Sequence, residues 1–373
     1  MQIIKFGGSV IDDEDKIELL AQEILMPNRL IIISAAKDLS RAIKEAISNA
    51  VTSHTVKGFL ERYEELIFRL TGNNPNKTDL TDSLLMMKRL LRGISMTKEA
   101  DPGIIDILLC EGEKTTASLV MQYMDRIGKQ YTHFDASKYF ITSSDHGSAI
   151  PLIDRIRQNI EPLLLDVSNK PIITEGFIGV DPDGRPTTMG FESSNLTAMV
   201  MAEIAGVSAI EYISKMPGIY STDPESYYAA IPVKTLNIYD AKFLASSGTR
   251  ILHAESLQFA DRNGLSLKYC DLELRCNTLI NKSIESSYPI VASTSSMADR
   301  AIGSDHHNTI TIMLPPQYKM LSSQIISILE NKTITAGTEI VPETKSRILR
   351  MQIENLTVDD LDRIHEIFNT KDQ

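Results

Sequence analysis

The chain of 373 residues is longer than one ordinary hydrophobic core supports, so length alone divides it into two or three domains. Its 42% hydrophobic and 23% charged content fits a folded globular protein and excludes a disordered one. A formal net charge of −11 excludes a nucleic-acid binder, which needs clustered Lys and Arg, but not an ATP binder, which needs only local positive charge and aimed backbone amides.

In chain order, Ile3, Ile4 and Phe6 around Lys5 predict a short strand that ends at Gly7-Gly8-Ser9. Asp12 to Asp15 then open a helix carrying Ile17, Leu20 and Ile24 at helical spacing, with acids at the positive end of its dipole. Leu30-Ile31-Ile32-Ile33-Ser34 is a continuous β-branched run, as in a central parallel strand covered on both faces. Residues from about 41 to 125 are helical in pattern. Strands return at Tyr131–Phe134, Pro171–Thr174, Ala209–Ile213 and Leu267–Cys270, with helical segments between them. That alternation predicts an α/β fold with a mainly parallel sheet.

Glu285 to Pro289 reads as a linker, dividing the chain into domains at 1–285 and 290–373. Beyond it, strands at Thr309–Leu314 and Ile348–Ile353 alternate with helices at Leu321–Leu329 and Val358–Phe368, giving a small α+β domain. Cys110, Cys270 and Cys276 share no zinc-type spacing, and an odd count suits no closed disulfide set, so they read as small buried apolar residues. The N-terminus lacks the pattern of a secretory signal, and no apolar stretch approaches the roughly 20 residues of a membrane span. The expected compartment is the cytoplasm, with no membrane partner.

Three segments carry candidate chemistry. Lys5-Phe6-Gly7-Gly8-Ser9 places a cation beside glycines that let the backbone approach phosphate oxygens; it reads either as a phosphate turn or as an ordinary tight turn. It matches neither a Walker loop nor G-x-G-x-x-G. Glu111-Gly112-Glu113 offers a carboxylate to an ammonium ligand, or merely a solvated helix acid. Thr174-Glu175-Gly176, the turn Asp181 to Gly184 and Thr187-Thr188-Met189-Gly190 lead into a helix near Ser194. That helix start is an anion site, or is simply capped by Ser193, Ser194 or Asn195.

Taken together and in order, these blocks resemble the aspartokinases of the amino-acid-kinase superfamily. Lys5 to Val10 resembles K-F-G-G-T-S-V with one residue missing, and Ile31 to Ala36 resembles the V-V-S-A-M strand end. Gly112-Glu113, Asp135-Ala136 and Thr142 resemble G-E, D-A and T-D, and Gly176 to Gly190 resembles G-F-x-G followed by T-T-L-G. Gly218 to Pro224 is similar to G-V-Y-T-A-D-P, Gly248 to His253 to G-A-K-V-L-H, and Asn277-Thr278 to N-T. The C-terminal segment is similar to an ACT module that lacks its last strand.

The resemblance implies an amino-acid-kinase three-layer sandwich with an ACT-like domain, and ATP-dependent phosphorylation of an amino-acid carboxylate in amino-acid biosynthesis, with L-aspartate as acceptor. It implies that Lys5, Gly7, Gly8 and Ser9 hold the phosphates of Mg²⁺-bound ATP, and that Arg250 stands for a nucleotide-side lysine. Ser214, Lys215, Tyr220 and Asp223 would border the nucleotide. Ser34, Ser40, Glu113, Ser194 and Asn195 would face the substrate, with Glu113 on its ammonium. Lys5, Gly8 and Arg250 form the implied catalytic set, with no protein-held metal. His253 reads as a structural core residue. An ACT-like sheet missing a strand implies an open edge closed by a second copy, hence a homodimer.

The chain departs from that pattern where Phe191 replaces a carboxylate-binding arginine and Asn195 an aspartate; Lys215 and Glu225 each reverse a charge. Three readings stay open: a divergent aspartokinase, a ligand-binding subunit without turnover, and a kinase of the same superfamily for another acceptor.

Overall fold

The computed structural model describes residues 1–52, 58–71, 77–190, 193–225, 227–246, 254–293, 307–354 and 356–369. Two compact units emerge: residues 1–215 with 271–274, and residues 216–270 with 275–373.

The first unit contains β1 (Gln2–Phe6), α1 (Glu14–Leu19), β2 (Arg29–Ile33), α2 (Leu39–Thr52), α3 (Phe59–Thr71), α4 (Lys77–Thr97) and α5 (Pro102–Arg126). It continues through β3 (Thr132–Phe134), α6 (Ala136–Tyr139), α7 (Ile153–Leu164), β4 (Ile172–Glu175), β5 (Ile178–Val180), β6 (Pro186–Thr188), α8 (Ser194–Ile204) and β7 (Ala209–Ile213). The strands run β3-β4-β2-β1-β7, every pairing parallel. Leu30, Ile31, Ile32 and Ile33 are all fully buried. Consecutive strand side chains point to opposite faces, so helices cover β2 on both sides, as its unbroken apolar run demands.

Local chemistry sets the helix starts. Asp13 caps α1 by accepting from the Lys16 amide at 3.0 Å. Asp101 caps α5 by accepting from the Gly103 amide at 2.8 Å, with Pro102 in the first turn, where its missing N–H costs nothing. β5 and β6 pair antiparallel across the anticipated turn. There Asp181 accepts from the Asp183 and Arg185 amides, and Gly184 takes a φ of 81°.

The second unit holds β8 (Thr235–Asn237), α9 (Ile238–Ser246), α10 (Ala254–Arg262), β9 (Ser266–Cys270) and β10 (Cys276–Asn281). It ends with β11 (Ile290–Ser293), β12 (His307–Leu314), α11 (Ser322–Leu329), β13 (Thr333–Ile340), β14 (Arg347–Glu354) and α12 (Val358–Asn369). β10 pairs antiparallel with β9 and parallel with β8. Cys270 and Cys276 face each other across β9 and β10 and form a disulfide, while Cys110 is free and buried. The expectation that no disulfide closes is thereby corrected: an odd count leaves one thiol over, and strand register sets the pair.

The small sheet is antiparallel in the order β11-β12-β14-β13. Its inner face, including Ile310, Ile312, Leu349, Met351 and Ile353, packs on Ile325 and Leu329 of α11 and Ile364 and Phe368 of α12. No strand follows α12 among the described residues, but the edge beside β12 is not open. β11, just after the 285–289 segment, occupies it. The unpaired edge is the outer side of β13. The segment is also tied down, since Ser286 and Ser287 accept from the Asn237 and Thr235 amides.

Candidate active site

Parallel strands present their carboxyl ends on one side of a sheet, the usual place for ligands in α/β proteins. At the end of β1, the Gly7 amide donates to the Ile213 carbonyl at 2.9 Å, prolonging the ladder, and Gly8-Ser9-Val10 turns over in a 3₁₀ turn. A Cβ on Gly8 would lie 2.1 Å from the Ala35 carbonyl oxygen, so only glycine lets this turn sit against the end of β2.

The loop after β2 meets α5. Glu113 Oε1 accepts from the Ala35 amide at 3.3 Å, and Thr116 Oγ1 accepts from the Ala36 amide at 2.8 Å. Glu113 Oε2 and Ser34 Oγ are buried and have no hydrogen-bond partner among the described residues. Two orphan polar atoms flanking one amide mark a place prepared for a polar ligand. Burial pushes the Glu113 carboxyl up to about 8, against the pull of the Ala35 amide and the positive charges of Lys5 and Lys44. Ser40 joins the same wall: a Cβ on Gly112 would fall 3.2 Å from its Oγ, so the glycine before Glu113 admits α2.

Gly176, after β4, meets Ser194 in the same way, since a Cβ there would approach Ser194 Cβ to 2.7 Å. Ser194 and Asn195 are both buried in the first turn of α8. The capping alternative takes an unexpected form. Ser193 stands at the N-cap, but its hydroxyl donates back to the Gly190 carbonyl at 2.7 Å and no side chain caps the helix there. Phe177 holds a φ of 68°, a left-handed value that a bulky residue seldom adopts.

Lys44, Ile105, Asp106, Phe177, Thr188 and Gly190 are among the residues lining a cavity of about 180 Å³. Asp106 is fully buried. It accepts from Thr188 Oγ1 at 2.5 Å, His146 Nδ1 at 2.8 Å and the Gly147 amide at 3.1 Å. Sequence reading missed Lys44, Thr116 and this network. The available signal was spacing: Asp106, Leu109 and Glu113 lie three and four residues apart, on one face of α5.

Lys5, Gly7, Gly8, Ser9, Ser34, Ser40, Glu113, Ser194 and Asn195 all belong to the first unit, on the terminal turns of β1, β2 and β4 or the helices against them. Ser214 and Lys215 end that unit, directly after β7. Tyr220 and Asp223 belong to the second unit. There Asp223 accepts from the Glu225 amide at 3.0 Å and Tyr220 bridges to Pro232, so both shape a local loop. Thr278, from the N-T block, accepts from the Ile219 amide at 2.9 Å and donates to the Val233 carbonyl at 2.7 Å. Phe191, Arg250 and His253 lie outside the described residues.

His133, Asp135 and Glu175 also gather at the ends of β3 and β4. His133 Nε2 is 2.8 Å from Glu175 Oε1, the Ala136 amide donates to Glu175 Oε2 at 3.0 Å, and Lys138 pairs with Asp135 at 2.8 Å. Burial works against charge on His133, but Glu175 outweighs it and raises the imidazole above its usual range. The three groups satisfy one another and α6.

The parallel sheet thus carries a tight glycine turn at the end of one strand and a buried acid beside the end of the next. The chain belongs to the amino acid kinase family, whose model matches residues 1–268. Its relatives there are aspartokinases: the lysine-sensitive aspartokinase 3 of Escherichia coli is 27% identical over 70% of this chain and 60% of that protein. The chloroplastic aspartokinase 1 of Arabidopsis thaliana is 28% identical over 69% of this chain and 47% of that protein. The matched stretch thus spans only about half of these relatives' length. The same fold occurs in E. coli aspartokinase III in complex with aspartate and ADP, with a TM-score of 0.69 at 19% identity over 98% of this chain and 84% of that one. It occurs again in the Clostridium acetobutylicum aspartate kinase, with a TM-score of 0.62 at 14% identity over 99% and 82%.

Proposed function

We propose that this protein transfers the γ-phosphoryl group of Mg-ATP to the side-chain carboxylate of L-aspartate, forming 4-phospho-L-aspartate. The carrying observation is the buried pair of unpartnered atoms, Glu113 Oε2 and Ser34 Oγ, at a strand end that also carries the Gly7-Gly8 turn. An acidic oxygen with no donor suits an ammonium group. The relatives' names and the aspartate and ADP bound in the E. coli structure support the choice of ligands.

In this reading Lys5, Gly7, Gly8 and Ser9 hold the phosphates, with Arg250 and the Ser214–Asp223 segment on the nucleotide. Glu113 takes the substrate ammonium, with Ser34, Ser40, Ser194 and Asn195 around it. An acceptor carboxylate oxygen attacks the γ-phosphorus. The bond from that phosphorus to the β–γ bridging oxygen breaks, and ADP leaves with the electron pair. An ionised carboxylate is itself the nucleophile, so the protein contributes position and positive charge rather than a general base. Mg²⁺ arrives on the phosphates of ATP.

The test is hydroxylamine trapping with aspartate and Mg-ATP. Aspartyl hydroxamate is the expected product; its absence with every acidic amino acid overturns the assignment. The neutral Asn195 favours one second reading, a subunit that binds ligand without turnover. Mg-ATP binding strengthened by aspartate, yet with no hydroxamate formed, would establish it. We also propose a cytoplasmic location for the enzyme; separately, among the described residues no helix is long and apolar enough to cross a membrane. We assign it a homodimeric state through β13, whose residues are exposed almost throughout.

A further inference from the structure

An amino-acid substrate with two carboxylates presents three charges, and Glu113 accounts for one. The acceptor carboxylate must meet the phosphoryl group beside Lys5. The remaining α-carboxylate needs a cation of its own, because a carboxylate taken from water without a donor is expensive. Phe191, where the sequence places no donor at all, cannot supply one.

We propose that Lys44 receives the α-carboxylate of the substrate, in the cavity between α2, α5 and the Thr188–Gly190 segment. This rests on the kinase reading above and specifies how that site selects its substrate. Lys44 is the one cation among the described residues lining the cavity. It stands one turn beyond Ser40 on α2, so both are on one helix face, and Ser40 touches α5 at Gly112. On α5, Leu109 lines the cavity and Glu113 follows one turn later on the same face. Cavity and orphan acid are therefore neighbours along both helices. The positive charges of Lys5 and Lys44 both favour the ionised form of Glu113.

Asp106, the acid in the cavity wall, has its oxygens occupied by three donors, which leaves it a weaker competitor than Glu113 for the ammonium. At about 180 Å³ the cavity is below the roughly 300 Å³ where pockets for drug-sized ligands begin, a size for a small amino acid. Lys44 is exposed and lines the cavity together with the apolar Ile105 and Leu109.

The experiment compares wild type, Lys44→Met and Lys44→Arg by aspartate titration calorimetry with Mg-ADP present, and by hydroxamate kinetics. Lys44→Met should weaken aspartate binding and raise its KM roughly 10- to 100-fold, with kcat within about threefold and Mg-ADP affinity unchanged. Lys44→Arg should recover most of the loss. Wild type should prefer aspartate to its α-amide, and Lys44→Met should lose that preference. Lys44→Met with wild-type affinity and preference overturns the proposal. Aspartate binding without hydroxamate in wild type overturns the kinase reading alone, and the binding comparison still decides the role of Lys44. No aspartate binding by wild type overturns both.

Discussion

Glu113 has the features of a ligand-ready acid: one oxygen on a backbone amide, one with no partner among the described residues, and a proton held up to about 8. Its folded value exceeds the ordinary 4.5, so the folded state binds more protons between those limits. The contribution of this group to ligand-free stability is complete below about pH 4.5 and is lost as pH rises through 8. Glu113→Gln should therefore match wild type in thermal unfolding near pH 5 and exceed it near pH 8, by on the order of a few kcal/mol. An arriving ammonium stabilises the carboxylate, so aspartate binding to wild type near pH 7 should release about one proton. Calorimetry in two buffers of different ionisation enthalpy measures that release, and Glu113→Gln should show none. Equal unfolding profiles across this range would mean that Glu113 is ionised in the free protein. Glu113 was legible in the sequence through the Gly112-Glu113 block. Its missing partner was not, because a motif names a side chain but not the donors that fail to reach it.

Elements were read best where burial imposes a pattern. β2 is apolar from Leu30 to Ile33 because both its faces are covered there, and its type and place followed directly. β11 and β13 were missed for opposite reasons. β11 has four residues beside a polar segment that resembles a linker. β13 is exposed on both faces, so Thr333 to Ile340 shows no alternation to read. The ties between elements were invisible for a third reason, since they join distant polar residues. Asp240, in α9, is fully buried and accepts from Thr344 Oγ1 at 2.6 Å, Ser346 Oγ at 2.9 Å and the Ser286 hydroxyl. Burial raises its carboxyl, and the three hydroxyls pull the other way. Asp240→Ala would strand three donors and should cost about 2–4 kcal/mol in urea unfolding, with Asp240→Asn losing less. A loss below about 0.5 kcal/mol would mean that water replaces the carboxylate.

For the whole molecule, the relevant feature is the edge that the small sheet leaves unpaired. The sequence implied an open sheet edge without locating it; β11 covers the edge beside β12 and leaves that of β13. The unpaired edge is eight residues of β13, with Ile334 45% and Ile340 58% exposed. Natural sheets protect such edges with charge, proline, a bulge or a partner. Among residues 333–340 the only charged side chain is Glu339, there is no proline, and the register shift with β14 falls at the first residues, Thr333 to Thr335. A partner strand is the remaining protection, and a second copy of β13 running antiparallel satisfies both edges with one two-fold axis. Ile334 lies in the register shift at one end of β13 and Ile340 at the other, and a two-fold axis near Gly337 would bring each close to its counterpart's opposite end. Wild type at micromolar concentration should therefore show a dimer mass in light scattering. Ile334→Lys with Ile340→Lys places like charges across that axis and should yield monomers with unchanged circular dichroism, both sites being exposed. A monomeric wild type removes the dimer, and a double variant that stays dimeric moves the contact away from β13.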